Sequence, residues 1–171
     1  NAADTKTIGL DVVLALKKKF NNSNFGATLV GNINNMKIAK VNNGNLDAET
    51  FFGAREQAFL LASAPKSKFG LNLNYSSKRF DSGIAFTHFS KVVLVDYGGE
   101  NDVYTAKTST DLTLGYQLSK QLKLTVGSNN LFNIYPDKQD EQGNTEAGGY
   151  WDAVQMGFNG AYYYARLGFT F

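Results

Sequence analysis

The stretch Phe69-Gly70-Leu71-Asn72-Leu73-Asn74-Tyr75-Ser76 decides the fold class. Phe69, Leu71, Leu73 and Tyr75 are apolar, and the residues between them are glycine, asparagine or serine. A helix would spread this pattern around its circumference. A strand points successive side chains to opposite faces and so collects it into one apolar and one polar side. The same alternation recurs on both sides of this stretch. Ile8, Leu10, Val12, Leu14 and Leu16 oppose Gly9, Asp11, Val13 and Ala15. Phe25, Ala27, Leu29 and Ile33 oppose Gly26, Thr28, Asn32 and Asn34. A fourth strand is predicted from about Ser82 to Val95, with its alternation blurred between Thr87 and Ser90. Leu112, Leu114, Tyr116 and Leu118 mark a fifth, Leu122, Leu124 and Val126 a sixth, and Ala161 to Phe171 the last.

The connections follow an order. Asn21–Asn24, Ser77–Asp81 and Ser119–Gln121 are tight and rich in turn formers. Between them fall three long connections, at about Ala39–Ser67, Asp96–Lys107 and Asn133–Gln155. Short and long alternate strictly, so all short turns are predicted at one end of the sheet and all long loops at the other. Outer-membrane barrels show this asymmetry, with short periplasmic turns and long extracellular loops. The strands are also long: most run to about ten residues, the length a tilted strand needs to cross a bilayer.

Composition agrees. The chain has 171 residues, of which 43% are hydrophobic and 19% charged, too apolar for a disordered segment. Seventeen Gly against two Pro, with 13 Phe and 9 Tyr, suit a β-rich chain. No run approaches the roughly 20 apolar residues of a membrane helix, which leaves a strand-built membrane protein open. A formal net charge of +2 with scattered basic residues gives no nucleic-acid footprint. The absence of cysteine excludes disulfides, thiol catalysis and cysteine metal sites.

Hydrocarbon cannot solvate Asp, Asn, Lys or Arg, so the apolar sides are expected to face lipid. Asp11, Asn32, Asn72, Asn74, Asp111, Lys123 and Arg166 are then expected on the interior wall. Tyr75, Phe80, Tyr116, Phe169 and Phe171 lie near the short-turn end or the terminus and suit an interfacial aromatic girdle. Seven strands leave two open edges, which hydrocarbon penalises, and bacterial single-chain barrels have even strand numbers. The expectation is therefore a segment of a larger barrel. Asn1, with no signal peptide before it, is read as a point within a longer chain.

The closing Tyr164-Ala165-Arg166-Leu167-Gly168-Phe169-Thr170-Phe171 resembles the outer-membrane barrel assembly signal, an amphipathic last strand with a terminal aromatic; Tyr163, Leu167, Phe169 and Phe171 are its candidate residues. A more specific resemblance lies in Leu124-Thr125-Val126-Gly127-Ser128-Asn129-Asn130-Leu131-Phe132-Asn133-Ile134-Tyr135-Pro136-Asp137. It is similar to the penultimate-strand motif of TonB-dependent receptors, in which Asn-Leu-Phe-Asp/Asn follows a strand and precedes Tyr-Pro. Thr110–Tyr116 resembles the family's preceding strand. Ala64–Lys68 and Tyr164–Leu167 also fit, and the wording is closest to receptors of Bacteroidetes-type bacteria. The resemblance is strongest over Thr105–Phe171.

The resemblance implies an all-β fold: residues 1–171 as the C-terminal portion, the last seven strands, of a 22-strand transmembrane antiparallel barrel. An N-terminal plug domain, absent from these residues, would fill it. The implied function is energy-dependent, TonB-coupled uptake across the outer membrane of a scarce nutrient such as a ferric siderophore, heme, cobalamin or a glycan. The implied partners are outer-membrane lipid, the chain's own plug and upstream strands, the TonB energy complex acting through the plug, the barrel assembly machinery and a surface lipoprotein. The alternative is a non-transport barrel, structural or adhesin-like and oligomeric. A lipase-like or protease-like barrel would need a catalytic pair, and a soluble sandwich would need shorter strands and turns of equal length.

No catalytic constellation, cofactor motif or metal-ligand spacing stands out, so no enzyme is expected. His88 is the only histidine and is expected to face the interior in a structural role. Asp137, Asp140 and Glu141 cluster in the last long loop without the spacing of a calcium loop, which favours a solvated acidic loop. Tyr97, Tyr135, Tyr150 and Trp151 are candidate extracellular-loop ligand contacts, although anchoring or loop packing is favoured for such aromatics; Tyr104 is a similar case. Ala48–Ala62 reads as a short helix packed over the barrel mouth, with Phe51, Phe52, Phe59, Leu60 and Leu61 on its apolar side.

Overall fold

A computed structural model describes residues 2–62, 66–139, 150–151 and 155–171. The chain is mostly antiparallel β. Strands β1 (Ala3–Lys19), β2 (Ser23–Val41), β3 (Ser67–Ser77), β4 (Phe80–Phe89), β7 (Lys107–Gln117), β8 (Leu122–Asn129) and β9 (Tyr162–Phe169) form one seven-stranded sheet in that order. Between β4 and β7 lies a separate hairpin, β5 (Val92–Val95) with β6 (Asn101–Tyr104). Helices α1 (Ala48–Phe52) and α2 (Ala54–Ala62) occupy the connection from β2 to β3. The sheet is open: β1 and β9 each have a neighbour on one side only.

Register carries the sequence alternation across the whole sheet. Leu14 pairs with Leu29, Leu29 with Leu71, and Leu71 with Phe86. Ile84 pairs with Leu112, Leu114 with Val126, and Val126 with Ala165. Cross-strand partners share a face, so these rows fuse seven half-apolar strands into one apolar surface. Nothing among the described residues packs over it: Leu10 is 59% exposed and Leu167 64%. The opposite face gathers Asp11, Asn32, Asn72, Asn74, Asp111, Lys123 and Arg166, as the alternation predicts.

The short turns are fixed by local side-chain bonds. The Ser77 hydroxyl accepts from the Phe80 amide at 3.2 Å and donates to the Phe80 carbonyl at 3.1 Å, closing the turn at Lys78-Arg79. Ser119 Oγ accepts from the Gln121 and Leu122 amides at 3.3 and 3.2 Å. Such hydroxyls replace the backbone partner that a turn removes.

Several expectations are corrected. The fourth strand does not run on to Val95. It ends at Phe89: the Ser90 amide still donates to the Ser67 carbonyl at 3.1 Å, but the Ser67 amide goes to the Ser90 hydroxyl at 3.0 Å and the ladder stops there. Val92–Val95 then starts its own hairpin, and an apolar run alone does not distinguish the two outcomes. The first two strands are longer than their alternation, because Asn34–Val41 pairs with β1 beyond the end of β3. This ribbon reaches roughly 25 Å past its neighbour at strand rise. The helical segment is broken at Gly53, where a Cβ would lie 2.6 Å from the Glu49 carbonyl oxygen. His88 lies on the apolar face: its register partners are Phe69 and Thr108, and its Nδ1 is 3.0 Å from Thr108 Oγ1.

The buried hydrophobic cluster among the described residues lies in the connections, not under the sheet. Ala62 of α2 meets Val92 and Leu94 of β5 and Tyr104 of β6, with Phe59 packed against them. Leu94 and Tyr104 are fully buried.

Candidate functional site

Every long connection leaves the same end of the sheet, and there the three interlock. The first contributes α2. Arg55 on this helix lies with its guanidinium 4.5 Å from the Phe59 ring centroid and 3.9 Å from that of Tyr97, a cation between two π faces. The second contributes the β5–β6 hairpin, whose turn is held by the Glu100 amide donating to Asp96 Oδ1 at 2.8 Å, with Gly99 at φ +86. The α1 end is capped by Asp47, whose carboxylate accepts from the Thr50 amide at 2.9 Å. That amide bond, helped by the Thr50 hydroxyl, lowers the Asp47 pKa.

The third connection holds the Asn-Leu-Phe-Asn run and is tied down at both ends. Asn130 and Asn133 both adopt positive φ, at 51° and 55°, a region asparagine tolerates better than most residues. Asn130 Oδ1 accepts from the Ile134 amide at 2.9 Å while its Nδ2 donates to the Ile134 carbonyl at 2.7 Å. The Asn130 amide donates to Asp111 Oδ1 on β7, and Asn133 Oδ1 accepts from the Ala161 amide just before β9. Gly160, at φ +73, leaves room for the Tyr135 hydroxyl, which a Cβ would strike. The motif is thus a structural staple between β7, β8 and β9, and its asparagines are spent on backbone.

Beyond the staple, Trp151 stacks between Tyr135 at 5.7 Å and Phe158 at 5.9 Å and donates Nε1 to the Pro136 carbonyl at 3.2 Å. Tyr150 meets the Trp151 edge at 6.2 Å, and Lys138 Nζ lies 5.0 Å from the Tyr150 ring centroid. Asp137 receives the Thr105 amide at 2.6 Å and hydroxyl at 2.5 Å, and forms an ion pair with Lys107. The hydrogen-bonded Lys107 ammonium and then the Thr105 hydroxyl hold the Asp137 carboxyl down at about 2. Gln155, almost wholly buried, donates Nε2 to the Ser90 and Thr105 carbonyls at 2.5 and 2.9 Å. It bridges the two roots of the β5–β6 hairpin, and nothing in its sequence context marks it.

The candidate residues therefore separate. Tyr135 and Trp151 are committed to the stack, whereas Tyr97 at 64% and Tyr150 at 38% present ring surface to solvent. Asp137 is a clamp on the second connection; Asp140 and Glu141 lie outside the described residues. Tyr163, Leu167 and Phe169 share the apolar face of β9 with Phe171 beyond it, and all four are exposed. The Tyr163 hydroxyl donates to the Leu131 carbonyl at 3.1 Å.

The polar face is cross-braced. The Asp81 carboxylate on β4 reaches Lys123 on β8 at 2.5 Å, passing over Gly115 of the intervening strand, where a Cβ would strike the carboxylate. Tyr164 of β9 reaches Thr113 of β7 at 3.0 Å over Gly127. Asn32 donates to Asp11 at 2.5 Å, and Asn34 donates to Asn32. Hydrogen-bonding side chains set along such a wall can bind or guide a polar solute. Among the described residues, no group of three or more His, Asp or Glu could hold a metal ion, and no helix is long and apolar enough to cross a membrane.

Comparison with family models, curated proteins and solved structures finds no match to this chain.

Proposed function

We propose that the chain is the C-terminal seven-strand part of a TonB-dependent outer-membrane transporter, a multi-pass β-barrel taking up a scarce nutrient such as a ferric siderophore, heme, cobalamin or a glycan. One observation carries the membrane reading: an uncovered apolar face runs through the register of all seven strands, with every short turn at one end and every long connection at the other. In water that surface would be a liability, whereas in hydrocarbon it is the solvated side. The open edges at β1 and β9 demand further strands for the same reason, since unpaired backbone groups in lipid cost several kcal/mol each. The transporter class rests on the resemblance of Leu124–Asp137 and the strands around it to that family. On this reading the braced polar face meets the plug, and exposed Tyr97 and Tyr150 lie where a ligand or a surface lipoprotein would approach.

The test is the intact mass and N-terminal sequence of the protein extracted from its native outer membrane. The expected result is a mass several times 18.7 kDa with a plug sequence upstream. Loss of uptake of one nutrient when the gene is deleted or the membrane is de-energised would support the coupling. A native mass near 18.7 kDa, or recovery in the soluble fraction, would overturn the reading.

A further inference from the structure

The short-turn end carries a charge pattern that the transport reading does not use. Lys17, Lys18 and Lys19 close β1, Lys78 and Arg79 form the β3–β4 turn, and Lys120 lies in the β7–β8 turn; all six are exposed. The only acidic side chain in the segments 17–25, 75–81 and 116–124 is Asp81, which is already paired with Lys123. These turns recur every second strand, so the cations stand about 10 Å apart along the rim of the sheet. Directly inside them, on the apolar face, lie Phe25 paired with Tyr75 and Phe80 paired with Tyr116. The Tyr75 and Phe80 rings approach at 6.3 Å, and Lys18 Nζ lies 5.4 Å from the Phe20 ring centroid. Rings beside a row of ammonium and guanidinium groups match the two layers of a lipid interface: aromatics at headgroup level and cations among the phosphates.

We propose that this rim is a binding surface for anionic phospholipid headgroups, holding the short-turn end at one leaflet through Lys18, Arg79 and Lys120. The inference rests on the membrane reading above. Charge complementarity names the occupant: a line of cations whose one acidic side chain in these segments is neutralised selects a polyanionic sheet over a zwitterionic one. A basic residue near such a surface is worth about a fivefold preference, and separate sites multiply.

The test uses the full-length protein carrying this segment, reconstituted in vesicles of equal parts phosphatidylglycerol and phosphatidylcholine. Lipids retained after detergent extraction are counted by native mass spectrometry. The wild type should retain phosphatidylglycerol selectively. Lys120→Gln should reduce that selectivity about fivefold, and Lys18→Gln/Arg79→Gln/Lys120→Gln on the order of a hundredfold, while Lys37→Gln/Lys40→Gln at the other end leaves it unchanged. Unchanged selectivity in both rim variants, or equal loss in the Lys37/Lys40 variant, would overturn the proposal. So would loss of a co-purifying acidic protein with lipid retention intact. Heat-modifiable electrophoretic mobility separates the two readings. A protein that integrates without lipid selectivity overturns the rim proposal alone, and one that never integrates overturns the membrane reading with it.

Discussion

The sheet and the loop cluster bury opposite things. In the sheet, leucines and isoleucines at mid-strand lie open, and the opposite face carries the hydrogen-bonded side chains. In the loop cluster, Leu94 and Tyr104 are fully buried at the centre of an apolar cluster, as in a water-soluble domain. One chain thus follows two solvation rules, and the change occurs where the strands give way to the connections. On the transporter reading proposed above, an apolar surround for the sheet and water for the loops would stabilise both halves.

Substituting the buried loop core should produce the largest effect. Tyr104→Ala removes a fully buried aromatic from a cluster of few members, and such truncations cost about 3–5 kcal/mol. The expected outcome is local: faster hydrogen exchange across α2, β5 and β6, with the seven-stranded sheet unaffected. Concerted loss of the sheet would show that the two regions fold as one and would break the comparison.

A neighbouring pair in the sheet tests the other half. Leu71 and Asn72 adjoin on β3 but face opposite ways. In a bilayer, Leu71→Arg should cost about 2–4 kcal/mol, the range for a cation placed toward hydrocarbon at mid-depth. Asn72→Arg should stay within about 0.5 kcal/mol, as surface changes do. Guanidinium unfolding in lipid vesicles would measure both. Equal effects would mean that the apolar face is not turned to lipid.

How far the sequence reaches follows the same division. Strand periodicity was readable because one solvent per face leaves a strict alternation, as in Phe69–Ser76, and the short turns were readable from Asn and Ser clusters. The loop cluster obeys no period. Val92–Val95 has the composition of a strand continuing from β4, and only its pairing with Asn101–Tyr104 shows that it leaves the large sheet. The side of His88 is not legible in the sequence because alternation blurs around it, whereas its pairing with Phe69 fixes it on the apolar face. Gln155 and the Asn130 staple depend on partners far along the chain, with which no local pattern correlates. Among the aromatic candidates, sequence could not separate Tyr135 and Trp151, which stack, from Tyr97 and Tyr150, which remain exposed.

The smallest expected effect lies at the seam within the loop cluster. Asp137 joins the third connection to Thr105 and Lys107 of the second, and those bonds lower its pKa from 3.8 to about 2. A carboxyl with a depressed folded pKa stabilises most above its ordinary value and loses that contribution as pH falls through the folded value. The clamp should therefore be intact at neutral pH, begin to weaken below about 4 and be lost near 2. The side chain is 31% exposed, so solvent and salt screen the pair and its contribution is modest. Acid titration followed by hydrogen exchange at the Thr105 amide should show release in that window, with protection in the sheet unchanged. Asp47 has a lowered pKa of its own, so α1 can loosen over an overlapping range. Asp137→Asn separates the two: it should abolish the pH dependence at Thr105 and leave that of α1. A Thr105 transition that survives Asp137→Asn would place the acid-sensitive contact elsewhere in the loop cluster.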